Sequence, residues 1–100
     1  MATMNTAILS RHDQGVAYYA RQLVQKGWMT VYSHLPGNLK PPTINGRIPD
    51  IYARHGVQEL VIEVETSKAL PTAHTAQQAG AFRAWAGLSP NTRRFQLLVY

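Results

Sequence analysis

Residues 48–66 read IPDIYARHGVQELVIEVET, and this stretch decides the fold. Ile48 to Arg54 and Glu59 to Thr66 are each rich in large and β-branched residues, which predicts two strands. The short connection His55-Gly56-Val57-Gln58 makes them a hairpin. Alternation along the second strand sends Leu60, Ile62 and Val64 to one face and Val61, Glu63 and Glu65 to the other. If Arg54 stands opposite Glu59, Tyr52 faces Val61 and Asp50 faces Glu63. Side chains so opposed share a face with Cβ atoms about 4.5–5.5 Å apart. A slip of one residue would turn Asp50 to the other side.

Outward from the hairpin, the remaining elements read as a single α/β domain over residues 1–100. Ser10-x-x-Asp13 has the form of a capping box, with Val16, Ala20, Leu23 and Val24 at helical spacing and Gly27 as the stop. Trp28 to Tyr32 predicts a strand. Ser33 to Gly46 holds three prolines and two glycines, hence a loop. Thr72 to Ala86 predicts an alanine-rich helix, in which Phe82 and Trp85 are packing residues, and Arg94 to Tyr100 a last strand. The order is helix, three strands, helix, strand: helices flanking a mixed sheet.

Composition sets the bounds. Ten Lys and Arg against five Asp and Glu give a net charge of +5, which favours a polyanionic partner. There are no cysteines, so disulfides and thiolate zinc sites are excluded. His12, His34, His55 and His74 have no i, i+3 or i, i+4 pairing, which argues against a histidine zinc site. No apolar run approaches the roughly 20 residues of a membrane helix. The first ten residues lack the pattern of a secretory leader, so a cytoplasmic protein without membrane attachment is expected.

Three acids, Asp50, Glu63 and Glu65, converge if the hairpin register holds. Like charges so opposed repel, and a raised pKa, a nearby cationic side chain or a metal ion must relieve them. Hard oxygen ligands suit Mg²⁺, which takes one or two carboxylates and keeps several waters. The acids could instead pair with Arg47 or Arg54 in a small interaction domain. Arg93, Arg94 and Lys40 are available to phosphates or to solvent.

Pro49-Asp50 followed by Glu63-x-Glu65 resembles the signature of the PD-(D/E)XK, or restriction-endonuclease-like, nucleases, and the αβββαβ order is also theirs. The resemblance implies a metal-dependent DNA endonuclease. Asp50, Glu63 and Glu65 would be the metal-site residues, for Mg²⁺ with Mn²⁺ as a substitute, and Glu65 would act on the attacking water. Lys68 would be a charge stabiliser and Gln78, beside Gln77, a supporting group. Glu65 stands where lysine is usual, and the first helix carries Asp13 but no glutamate. Those departures imply an alternative, an inactive nuclease-like module that binds DNA or regulates. A domain of this size would need a homodimer or a partner protein to choose its target.

Overall fold

The computed structural model describes residues 9–66 and 73–100. Lys68 lies outside them. The elements are α1 (Arg11–Gln25), β1 (Thr30–Ser33), β2 (Ile51–His55), β3 (Gln58–Glu65), α2 (Ala73–Gly87) and β4 (Arg93–Val99). They form a small α/β domain with one four-stranded mixed sheet, ordered β1-β2-β3-β4. The first two pairings are antiparallel and β3–β4 is parallel, which requires the α2 crossover.

The hairpin adopts the expected register, with Arg54 opposite Glu59 and Tyr52 opposite Val61. Its connection is shorter than expected, because His55 and Gln58 also pair, leaving a turn of Gly56 and Val57. Gly56 takes φ +60°, as the first central position of a type II′ turn requires. The ladder begins at Ile51 rather than Ile48. Pro49 has no N–H to give, and the Asp50 N–H goes to a side chain, described below.

Both faces of the sheet are covered. Val16 and Leu23 of α1 pack with Ile51, Ala53, Leu60, Ile62 and Val64. Phe82 and Trp85 of α2 pack with Tyr52, Val61 and Ile44 on the other face. Burial on both sides explains the unbroken apolar run Leu60-Val61-Ile62.

Ser10 caps α1 by accepting the Asp13 N–H at 3.1 Å. The far end is a Schellman motif: Trp28 N–H reaches Leu23 O and Gly27 N–H reaches Val24 O, both at 3.1 Å, with Gly27 at φ +95°. Trp28 is thus used in ending the helix, which is why β1 starts at Thr30 and not at Trp28. Val24, expected in the core, is 60% exposed, and Tyr19 packs against that core from α1. Gly15 is in α1 because of packing: a Cβ there would lie 2.7 Å from Tyr100 Cβ and 2.9 Å from Val64 Cγ1. Among the described residues no helix is long and apolar enough to cross a membrane.

Candidate functional site

Beyond the last rung of the hairpin ladder, the register sets Asp50 opposite Glu63. The two residues are joined through each other's strand. Asp50 N–H donates to Glu63 Oε2 at 2.7 Å, and Val64 N–H donates to Asp50 Oδ2 at 2.8 Å. His34 N–H fixes the Asp50 carbonyl at 2.8 Å. Side-chain oxygens therefore take backbone N–H groups at this end of the β2–β3 pair, and both carboxylates are held in place.

Each helix contributes to the same point. His12, in the first turn of α1, sets Nε2 3.1 Å from Asp50 Oδ2 and Nδ1 3.3 Å from Asp13 Oδ1. Gln78 of α2 donates from Nε2 to Glu63 Oε1 at 3.0 Å. Arg47 in turn donates to the amide oxygens of Gln78 and Gln77, each at 3.4 Å. Gln78 is thereby oriented with its NH₂ toward the carboxylate. A cleft of about 390 Å³ opens here, lined by His12, His34, Asp50, Glu63, Glu65 and Gln78, with His74 and Thr75 from the first described turn of α2.

Glu63 is 7% exposed. Burial raises its pKa to about 7, and the charge of Asp50 pushes the same way. The Asp50 N–H, the Gln78 amide and the charge of His12 pull it back, but less. For His12, burial of the ring lowers the pKa, but the charge and hydrogen bond of Asp50, joined by those of Asp13, outweigh it and the net shift is upward. Glu65 Oε1 is buried with no hydrogen-bond partner among the described residues. Such an atom is costly until a further donor satisfies it.

Asp50, Glu63 and Glu65 line this one cleft but enter it by different routes. The Asp50 carboxylate folds back onto the Val64 N–H at the end of the sheet, with His12 on it from α1, while Glu63 turns to α2. Among the described residues no group of three or more His, Cys, Asp or Glu side chains is gathered as a ready metal cage. The expected alternative of pairing with arginine also fails there. Arg47 binds glutamines, Arg54 binds Gly56 O, and Arg93 pairs with Glu59 at 3.3 Å while stacking on Trp85. Arg93 is thus engaged internally, and Arg94 remains exposed.

His12 is the residue that sequence reasoning missed. A search for histidines at helical spacing cannot find it, because its partner lies 38 residues away and is brought in by packing. The available signal was its place in the first turn of α1, beside the Asp13 that was read as the helix's acid. Compared with known proteins, the chain matches no protein-family model, no curated protein and no solved structure.

Proposed function

We propose that this protein is a metal-dependent DNA nuclease of the PD-(D/E)XK type, with a restriction-endonuclease-like αβββαβ core. The observation that carries the reading is the Asp50–Glu63 pair. Two carboxylates hold each other's backbone at the end of a hairpin, one of them so poorly solvated that its pKa sits near 7. Perturbation by burial and a like charge inside a cleft is a recognised mark of functional sites. The element order, the parallel return of β4 and the basic net charge agree with it.

Two carboxylates at the mouth of a cleft would suit Mg²⁺, which keeps most of its waters, or Mn²⁺ in its place. Asp50 and Glu63 would hold the ion with waters completing its shell, and Glu65 Oε1, without a partner among the described residues, would accept from one of them. A bound divalent ion supplies charge for the phosphoryl oxygens and lowers the pKa of a water. The chain's own groups do the rest. Glu65 orients the attacking water and accepts its proton. Gln78, braced by Arg47, keeps Glu63 turned into the cleft. His12 anchors Asp50 from α1, in the region where related nucleases carry a glutamate. Lys68 is assigned the role of charge stabiliser. A homodimer or a partner protein would supply target choice, and a cytoplasmic location is proposed with it.

One observation favours a second reading, an inactive nuclease-like module that binds DNA or regulates. Asp50 and Glu63 already have protein N–H partners, and lysine is replaced by Glu65. Incubating plasmid and branched DNA with the protein and Mg²⁺ or Mn²⁺ separates the two. Cutting by the wild type and none by Asp50→Ala is expected; equal cutting by both ends the assignment, and salt-sensitive binding with no cutting selects the module.

A further inference from the structure

At the other end of β3, a cleft of about 410 Å³ lies between the end of α1 and the hairpin. Its floor is Leu23, Leu60 and the half-buried Trp28; its rim carries Lys26, His55 and Arg94, all exposed. None of the three basic side chains has an ion pair or hydrogen bond among the described residues, and neither does the Trp28 indole N–H. The acid that also lines the cleft, Glu59, is already neutralised. Its Oε2 accepts the Tyr52 hydroxyl at 2.6 Å and its Oε1 accepts Arg93 at 3.3 Å. The rim is therefore positive with no internal countercharge, beside an aromatic floor.

We propose that this cleft binds an unpaired nucleotide of a DNA strand, its phosphates on Lys26 and Arg94 and its base on Trp28. The volume is that of a small-ligand pocket, and aromatic stacking beside cationic side chains is the chemistry that holds single-stranded nucleic acid. The inference rests on the nuclease reading for its choice of polyanion and deepens it by naming a strand with unpaired bases as substrate. The cleft is lined from β3 by Gln58 to Leu60 and the acidic site by Glu63 to Glu65, so their centres lie about 17 Å apart along the strand. Binding and cutting are thus assigned to separate ends of one strand of the sheet.

The test titrates a labelled single-stranded oligonucleotide of about twenty nucleotides into the full chain in EDTA, over a range of salt. Tryptophan fluorescence is followed alongside. The wild type is expected to bind and to show quenching. Lys26→Ala combined with Arg94→Ala is expected to bind roughly tenfold more weakly, to lower the salt slope by about two, and to lose the quenching. Both positions are exposed, and an unchanged melting temperature confirms the fold of the variant. Affinity and slope unchanged in the double variant overturn the proposal, as does polyglutamate displacing the oligonucleotide as well as unlabelled DNA does. If that happens while the wild type still cuts DNA, the acidic-site reading stands alone. If the double variant behaves as expected and no metal elicits cutting, the catalytic reading falls and the cleft remains.

Discussion

Glu63 Oε2 accepts the backbone N–H of Asp50 at 2.7 Å, while Asp50 Oδ2 accepts the N–H of Val64, so each acid is held in place by the other's strand. The hairpin and the site are therefore one construction. A change at either acid is felt in the end of the ladder as well as in the cleft.

Isosteric amides separate the two roles. Asp50→Asn keeps an oxygen for the Val64 N–H but removes the charge. Stability is expected to change by less than about 1 kcal/mol in urea melts at neutral pH, while metal-dependent cleavage falls at least a hundredfold. Cleavage at the wild-type rate would contradict the role given to Asp50.

The pH dependence of stability has a definite sign. Glu63 is raised from 4.5 to about 7 in the folded chain, so the folded state keeps a proton that the unfolded chain has lost. That contribution is fully present below pH 4.5 and is lost as pH rises to about 7. The loss is expected to be about 2 kcal/mol, allowing for solvent at the cleft mouth. His12, also raised, adds loss of the same sign beginning above its ordinary pKa of 6.5. Thermal melts from pH 4.5 to 8 should fall accordingly, and Glu63→Gln should flatten the lower part of the curve. A wild-type profile that rises over this range would refute the assignment.

Metal should reverse this trend. Mg²⁺ or Mn²⁺ favours ionised Glu63, so the rise in Tm on adding metal is expected to be larger at pH 8 than at pH 5. Asp50→Asn should abolish it. An equal shift at both pH values would point to binding elsewhere on the surface.

Gly15 tests the packing of α1. Alanine would normally gain up to about 1 kcal/mol in a helix interior. Here the new methyl meets Tyr100 Cβ and Val64 Cγ1 at under 3 Å, atoms close to the backbone that yield little. Gly15→Ala is expected to destabilise by about 1–3 kcal/mol, read from denaturant midpoints. Ser10→Ala should cost about 1 kcal/mol through loss of the cap to Asp13 N–H.

Much of the architecture was legible in the sequence because local chemistry dictates it. Ser10 and Gly27 delimit α1, and Arg54 opposite Glu59 sets the register that brings Asp50 to Glu63, although the turn itself is tighter than the four residues expected. Gln78 was named from the resemblance alone, not from local chemistry; its amide donates to Glu63 from α2. Side-chain direction was legible only in part. The three acids line one cleft, but nothing local told that Asp50 Oδ2 would accept the Val64 N–H at the sheet end. His12 and Arg47 depended on tertiary packing that no spacing rule encodes. The same holds for Arg93, whose partners Glu59 and Trp85 lie on β3 and α2.

The opening turns of both helices border the acidic cleft, through His12 on α1 and through His74 and Thr75 on α2. A helix start carries about half a positive charge from its unpaired amides. The start of α1, capped by Ser10 and set against Asp50 through His12, offsets part of the repulsion among the acids through the backbone itself. The fold therefore bears the closeness of these acids partly through its own backbone, and a helix start is as much a part of the cleft as the side chains that line it.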